Sequence, residues 1–497
     1  MNPDLRLDPF ASMEKSGRGV PGLDDVLCGG LSRGHMFLLE GSPGTGKTTI
    51  AMRFILEAAS AGERGLYIIL SETERELREV AASHGWTLDD NVEILEVAPA
   101  ESLLDEQQQQ TLLYSSDLEL GEAINSIFKV FERVKPDRVV LDSLSEIRLL
   151  SQSSLRYRRQ LLAIKHYFVR HKTTVLLLDD LTTDINDKTV HSVAHGVIQL
   201  EEMPMTYGSA RRRLRVSKYR AHSVRHGYHD YSIRTGGVAV YPRLVAAEHR
   251  TEFARAQLTS GLPGLDALLG GGLEQGSSTL ILGPAGAGKS TFAIQFLATA
   301  IRRGEKAAMF VFDEELGLLF HRIKKMGVDL EPMRAKGSLI IQQVDAAELS
   351  PGEFACLACA MVDSAQAGTV VIDSLNGYAA AMPDEKALIM HIHELLQYLN
   401  RRGANTFLTV AQHGIIGDMK APIDITYLAD TVILLRYFEA LSRVRRAVSI
   451  IKKRSGGHEA SIREFTITEA GLRLGEPINE FQGVLKGYPV GEPLRGN

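Results

Sequence analysis

The sequence predicts an α/β protein built as two tandem domains, each a mostly parallel sheet flanked by helices and closed by a C-terminal β-hairpin region. Three observations predict it. The segment Gly41-Ser42-Pro43-Gly44-Thr45-Gly46-Lys47-Thr48 returns as Gly283-Pro284-Ala285-Gly286-Ala287-Gly288-Lys289-Ser290, an offset of 283 − 41 = 242 residues in a chain of 497. The lead-in returns at the same offset without a gap. Gly19-Val20-Pro21-Gly22-Leu23-Asp24 matches Gly261-Leu262-Pro263-Gly264-Leu265-Asp266, Gly29-Gly30 matches Gly271-Gly272, and Gly34 matches Gly276. Within each half, apolar runs of strand length alternate with amphipathic stretches, the pattern of parallel strands joined by crossover helices. The chain is therefore one module written twice, with domains over residues 1–245 and 246–497 and a junction near Val245–Gln257.

In the first half the apolar runs place strands at Met36–Glu40, Leu66–Leu70, Val92–Glu96, Arg138–Leu141 and Thr174–Leu178. In the second they place them at Thr279–Leu282, Ala308–Phe312, Leu339–Gln342, Thr369–Ile372 and Asn405–Val410. A helix is expected to open directly after each glycine loop, over Lys47–Ser60 and Lys289–Arg302. Each half then ends in strand-rich sequence of another character, Arg213–Arg220 with Tyr228–Thr235 and Arg446–Arg454 with Ile462–Thr468, which fits antiparallel hairpins added to the parallel sheet. The glutamine run within Asp105–Gln110 is expected to be an exposed loop or helix start.

The net charge of −5 gives no global pull toward nucleic acid or an anionic membrane. No apolar run is long enough to span a bilayer. The opening Met1-Asn2-Pro3-Asp4-Leu5-Arg6 lacks the apolar stretch of a secretory signal. Three cysteines do not make a disulfide framework. The expectation is a soluble cytoplasmic protein. Cys356 and Cys359 form a C-x-x-C within Phe354–Val362, but with no second pair to complete a zinc site the segment is read as a packed helix.

Both glycine loops fit G-x-x-x-x-G-K-[ST], the nucleoside-triphosphate signature. Glycines let backbone N–H groups turn inward onto phosphate oxygens, and the helix N-terminus that follows adds positive character. The candidate nucleotide contacts are therefore residues 41–49 and 283–291, including Thr49 and Thr291. Lys47 and Lys289 are expected to reach the β- and γ-phosphates, and the hydroxyls of Thr48 and Ser290 to ligate Mg²⁺. An acid at the end of an apolar strand completes such a metal site, and Arg138-Val139-Val140-Leu141-Asp142-Ser143-Leu144 and Thr369-Val370-Val371-Ile372-Asp373-Ser374-Leu375 supply Asp142 and Asp373. Hydrolysis also needs a carboxylate to orient or deprotonate water. Glu72 and Glu314 close the strand after each loop helix. The residue before them differs, Ser71 in one half and Asp313 in the other, with Glu315 adding a third acid to the second.

These residues resemble the KaiC family of double-domain, RecA-like ATPases. The Gly-Leu-Asp…Gly-Gly-Leu lead-in, both loops, the strand-end glutamates, Asp-Ser-Leu and the ending Ser461-Ile462-Arg463-Glu464-Phe465-Thr466-Ile467-Thr468 carry the resemblance over nearly the whole chain. It implies two tandem RecA-like P-loop domains in a homohexameric ring, with ATP and Mg²⁺ between neighbouring subunits, hydrolysis in the first domain and serine/threonine autophosphorylation in the second. By position it marks Glu72, Asp313 and Glu314 as the catalytic carboxylates, where the family has an adjacent Glu-Glu pair. It marks Lys218, Arg220, Lys452 and Arg454 as a basic pair in each hairpin that reaches the neighbouring subunit's phosphates. No partner for these cations is legible in their own domain. In Asp424-Ile425-Thr426-Tyr427-Leu428-Ala429-Asp430-Thr431, Thr426 falls on the family's Ser acceptor and Tyr427 on its Thr acceptor. After Lys486-Gly487-Tyr488-Pro489 only 497 − 489 = 8 residues remain, shorter than the tail that KaiA captures in clock members, so a non-clock relative is expected. Two other readings compete: a RecA- or DnaB-like DNA-dependent motor using Arg211-Arg212-Arg213-Leu214-Arg215, and an ATP-gated scaffold with little turnover, suggested by Ser71.

Overall fold

A computed structural model describes residues 19–88, 91–97, 112–151, 153–180, 189–205, 207–380, 382, 384–412, 425–440, 442–479, 481–482 and 490–491. The N-terminal opening, the glutamine run, Asp424 and the Lys486–Pro489 ending, with the expectations attached to them, lie outside the described residues. The chain divides into two compact units, Met1–Arg243 and Leu244–Asn497.

The first unit is built on β1 (Met36–Gly41), β2 (Gly65–Ile69), β3 (Val92–Glu96), β4 (Arg138–Asp142), β5 (Thr174–Asp180), β6 (Gly196–Met203), β7 (Arg211–Tyr219), β8 (His229–Arg234) and β9 (Gly237–Tyr241). They form one 9-stranded sheet in the order β3-β2-β4-β5-β1-β6-β7-β8-β9. The strands from β3 to β6 pair in parallel. The remainder pair antiparallel. Thus β6 is the pivot, parallel to β1 on one side and antiparallel to β7 on the other.

The second unit repeats the plan with β10 (Ser278–Gly283), β11 (Ala307–Val311), β12 (Leu339–Gln343), β13 (Thr369–Asp373), β14 (Asn405–Ala411), β15 (Thr431–Ala440), β16 (Arg443–Lys453), β17 (Arg463–Thr468) and β18 (Gly471–Pro477). Its order is β12-β11-β13-β14-β10-β15-β16-β17-β18, the same permutation. The sequence left two strands of each unit unread. β6 and β15 escape notice because their apolar starts run into charged ends, Glu201-Glu202 and Arg436. β9 and β18 follow so closely on β8 and β17 that only the hairpin turn separates them.

The central strand explains the placement of the site. Every residue of β1 is buried, because parallel neighbours cover both edges and helices cover both faces. Side chains alternate across the sheet. Leu39, Tyr67, Val140 and Leu178 pack on the face of helix α1 (Lys47–Ser60), where Ile50, Ala51, Phe54 and Ile55 meet them. Leu38, Leu66, Leu141 and Leu177 pack on the other, under Phe131, Leu161 and Phe168. Each such side chain, fully buried, contributes about 1.5–3 kcal/mol of transfer free energy. This two-faced core fixes the C-terminal ends of β1, β2, β4 and β5 side by side, where an open α/β sheet places its ligand. In the second unit the loop helix is α2 (Lys289–Arg302). Cys356 and Cys359 lie unbridged on the helix Pro351–Ala365, and Cys359 packs against the core.

Candidate nucleotide sites

Each glycine loop leaves its strand and turns into its helix through glycines at positive φ: Gly44 (+84°) and Gly46 (+87°) in the first unit, Gly286 (+73°) and Gly288 (+107°) in the second. A second constraint holds the last glycine. A Cβ on Gly46 would stand 2.5 Å from Ile233 Cδ1, and one on Gly288 would stand 2.8 Å from Ile467 Cδ1. The hairpin strands β8 and β17 therefore brace the loops from below. In the first loop Thr45 Oγ1 donates to Ser42 O at 2.7 Å, and Tyr231 OH donates to Thr45 O at 2.7 Å.

Lys47 is buried at the mouth of the first loop. Its ammonium donates to Gly41 O at 2.9 Å and Ser42 O at 3.1 Å and pairs with Asp180 Oδ1 at 2.6 Å. Thr48 Oγ1 donates to Asp142 Oδ2 at 3.3 Å, so the hydroxyl and the strand-end acid do meet. Tyr67 OH donates to the same oxygen at 2.8 Å. Burial raises the Asp142 carboxyl above the ordinary aspartate range, opposed by the Tyr67 and Thr48 hydrogen bonds and by Lys47. A hydroxyl beside a carboxylate oxygen is a hard oxygen donor set of the kind Mg²⁺ takes. Thr49 is buried on α1, with its hydroxyl 3.5 Å from His84 Nε2 and away from the loop.

Glu72 lies just past the end of β2. Its carboxyl is raised above the ordinary glutamate range, first by desolvation and then by the charges of Asp142, Glu76 and Asp180, with Lys47 opposing. That set of influences places Glu72 in one electrostatic cluster with the loop lysine and the strand-end acids. The neighbouring Thr73 caps the helix Glu74–Ser83 in a reciprocal capping box with Glu76.

The second site has the same frame and different contacts. Lys289 Nζ donates to Pro284 O at 2.9 Å, and burial lowers its pKa, opposed by Asp373. Asp373 accepts from Thr409 Oγ1 and Asp313 accepts from Ser374 Oγ. No hydrogen bond joins Ser290 to Asp373 among the described residues. Thr291 is buried, its hydroxyl turned to Met326. Glu314 is held by both oxygens: Arg322 Nε donates to Oε1 at 3.0 Å and Nη2 to Oε2 at 2.7 Å. Glu315 is a helix cap. It accepts from Gly317 N and Leu318 N at 2.8 Å each, which lowers its pKa, so the third acid of this cluster is structural.

The basic pairs and the turn that carries Thr426 and Tyr427 lie elsewhere. Arg220 N donates to His195 O at 3.1 Å, and His195 N donates to Met36 O at 2.7 Å. This puts Arg220 level with the start of β1, whereas the loop leaves from its end at Gly41. In the second unit Arg454 N donates to Asp430 O at 2.8 Å and Asp430 N to Ser278 O at 2.9 Å, level with the start of β10. At about 3.3 Å per residue, five residues of strand separate Arg220 and Arg454 from their own loops by roughly 16 Å, and three residues separate Lys218 and Lys452, level with Leu38 and Leu280, by roughly 10 Å, with their ammonium groups turned away onto Ala194 O and Ala429 O. The expectation that these cations lack partners in their own domain is corrected. Lys218 donates to His191 O and to Ala194 O, and Arg220 to Ser192 O. Lys452 donates to Thr426 O at 3.0 Å and Ala429 O at 2.8 Å, while Arg454 pairs with Asp430 and donates to Tyr427 O at 2.9 Å. The basic pair of the second unit thus grips the turn over Thr426–Asp430. Thr426 is half-buried there, and Tyr427 is 54% exposed.

The arginine run of β7 is largely engaged across its strand pair. Arg212 pairs with Glu202 at 2.8 Å, Arg213 pairs with Glu201 at 2.9 Å and lies over the Tyr228 ring, and Arg215 donates to Gln199 at 2.7 Å. No described helix is long and apolar enough to cross a membrane.

Sequence reading missed Tyr67, Asp180 and Arg322. Asp180 had a signal, an acid ending the β5 run as Asp142 ends β4. Tyr67 and Arg322 had none, since their roles depend on strand order and on one turn of helix. Known proteins match this frame along its length. The family model described as "ATPase: KaiC" matches residues 17–245 and again 258–478. The circadian clock protein KaiC3 of Synechocystis sp. is 24% identical over 488 residues, covering 96% of this chain and 95% of that protein. The circadian clock oscillator protein KaiC of Picosynechococcus sp. is 25% identical over 485 residues, 95% of this chain and 91% of that protein. The KaiC of Prochlorococcus marinus is 26% identical over 488 residues, 96% of each. Two RecA-like units with duplicated ATP loops, matched twice over by one family, make this chain a member of the KaiC ATPase family.

Proposed function

We propose that the chain is a Mg²⁺-dependent ATPase of two sites that assembles as a homohexameric ring and carries serine/threonine autokinase activity in its second unit. Thr48 with Asp142, and Ser290 with Asp373, would hold Mg²⁺ at the two loops, and the ion would neutralise charge on the phosphates. The observation that carries the reading is the opposition of edges within each unit. The loop and the acids lie at one end of the sheet, and the basic pair lies at the other. A lysine and an arginine so placed are out of reach of their own nucleotide and suited to that of a neighbouring copy. The same opposition puts Thr426 beside Lys452 and away from its own loop. Phosphoryl transfer would then run between copies. Thr426 Oγ attacks the γ-phosphorus, the bond to the β-phosphate oxygen breaks, ADP leaves, and the hydroxyl proton passes to the Asp313–Glu314 pair. Tyr427 is the alternative acceptor.

The test is intact mass with peptide mapping after incubation with Mg²⁺-ATP. Phosphate on Thr426 or Tyr427 supports the kinase, and Thr426→Ala separates the two. Unchanged mass alongside ATP consumption removes the kinase and leaves the ATPase. One observation favours a second reading, an ATP-gated scaffold: Glu314 has both oxygens committed to Arg322. ATP-dependent assembly with hydrolysis near background at both sites would select it.

A further inference from the structure

The two loop lysines differ in what holds them, and the difference traces to one residue at the end of a neighbouring strand. β5 runs parallel to β1 with Asp180 level with Gly41. Alternation along β5 sends Asp179 and Asp180 to opposite faces. Asp179 pairs with Arg148 at 2.5 Å, and Asp180 points to the α1 face and pairs with Lys47 at 2.6 Å. In the second unit the residue level with Gly283 on β14 is Ala411, a methyl group.

An ammonium has three N–H donors and no more. Those of Lys47 go to Gly41 O, Ser42 O and Asp180 Oδ1. A phosphate oxygen that takes Lys47 must displace one of them, and it must approach a carboxylate as it does so. The Lys47 side chain is 9% exposed and that of Asp180 30%, so water screens the contact only in part. Lys289 has Pro284 O as its hydrogen-bond partner among the described residues and no ion pair there, so donors remain for phosphate.

We propose that Asp180 is a positioning residue of the first ATP site, acting through Lys47. It holds the lysine in place and makes nucleotide binding an exchange of one anion for another, so that the first site takes ATP more weakly than the second. Asp180 also adds an acid from β5 to the charges around Glu72, in the unit where Ser71 precedes that glutamate. The proposal rests on the reading of both loops as ATP sites.

The test isolates each site in the full chain. In a Lys289→Ala background, Asp180→Asn is expected to tighten Mg²⁺-dependent binding of an N-methylanthraniloyl ATP probe about tenfold. It should lower KM by a like factor with little change in kcat, since an interaction lost before and regained after chemistry alters binding alone. Asp180→Glu is expected to return the affinity toward that of the parent. In a Lys47→Ala background, Ala411→Asp is expected to weaken the second site about tenfold, which keeps the idea testable if Asp180→Asn misfolds. Unchanged or weaker binding in Asp180→Asn, or an Ala411→Asp site that binds as before, overturns the role given to Asp180. A Lys289→Ala parent that binds no probe overturns the first loop as an ATP site, and the proposal with it.

Discussion

Releasing Glu314 from Arg322 is expected to speed the second site. Both carboxylate oxygens accept from one guanidinium, at 3.0 and 2.7 Å, with side chains 33% (Arg322) and 24% (Glu314) exposed. A water-orienting base has to offer an oxygen to the proton it receives, so one of these bonds must be given up in the transition state. Hydrogen bonds to charged groups are worth about 1.5–3 kcal/mol. Partial replacement by water leaves a penalty of about 1.4 kcal/mol, which is tenfold in rate. The pair is open enough to solvent that its loss costs the fold only about 0.5–1 kcal/mol. Arg322→Met keeps an apolar stem against the helix and removes the fork. Phosphate release measured in a Lys47→Ala background, where the second site alone works, should rise about tenfold with the melting temperature nearly unchanged. An unchanged or slower rate would show that Arg322 orients Glu314 for chemistry, and the idea of a restrained base would be wrong. The first unit carries Val80 at the matching distance from Glu72, a side chain with no guanidinium to offer.

Three further outcomes follow from the same contacts. In a Lys289→Ala background, Glu72→Gln should cut hydrolysis by about 10²–10⁴-fold; because the Glu72 carboxyl is raised and works deprotonated, the parent should lose kcat/KM on falling pH from above the ordinary glutamate range, and an acid limb at or below that range would contradict the role. Tyr67→Phe removes a 2.8 Å hydrogen bond that helps keep Asp142 charged, so half-maximal first-site activity should need about three- to tenfold more Mg²⁺, and an unshifted Mg²⁺ titration would refute this. Lys218→Ala with Arg220→Ala should lower ATP-dependent assembly in sedimentation velocity while leaving a folded chain, and assembly at the parent's concentration would remove these residues from the interface.

What the sequence made legible was what local chemistry dictates. A loop that turns at positive φ twice within three residues requires Gly44 and Gly46, and a helix start that faces phosphate requires Lys47 and Thr48, so the motif is contiguous. A strand-end Asp is often only a cap, and Asp142 and Asp373 were legible because each accompanies a glycine loop and both open the same Asp-Ser-Leu. The partners that set each site's behaviour come from other segments. Asp180 reaches Lys47 only because β5 inserts between β4 and β1, and nothing in the order of the chain announces that neighbour. Glu315 looked like part of an acidic cluster, yet its place at the start of a helix turns its carboxylate onto Gly317 and Leu318. The hairpin cations stood out only through the family resemblance, and their carbonyl partners belong to a helix end and a turn whose positions follow from β6 and β15, strands the sequence did not reveal.

The duplicated plan gives both units the same opposition of edges, so any account of one must serve the other. If the basic pairs were only structural, a helix end in the first unit, His191–Ala194, and a turn in the second, Thr426–Asp430, would need the same Lys-x-Arg to hold them. The helix end favours a cation through its own dipole, but the carbonyl oxygens of the Thr426–Asp430 turn do not demand one, because a backbone N–H or a water satisfies them as well. A charge kept at that edge answers better to an anion brought from outside, and the anion each unit is built to hold is a nucleotide at the other edge. Head-to-tail contact of that kind is heterologous, and it closes into a ring when the rotation per copy divides the circle. The same contact would set the Thr426–Asp430 turn, gripped by Lys452 and Arg454, against a neighbour's phosphates. Assembly and phosphoryl transfer would then depend on one surface, so the variants that abolish the ring should abolish labelling of Thr426 as well.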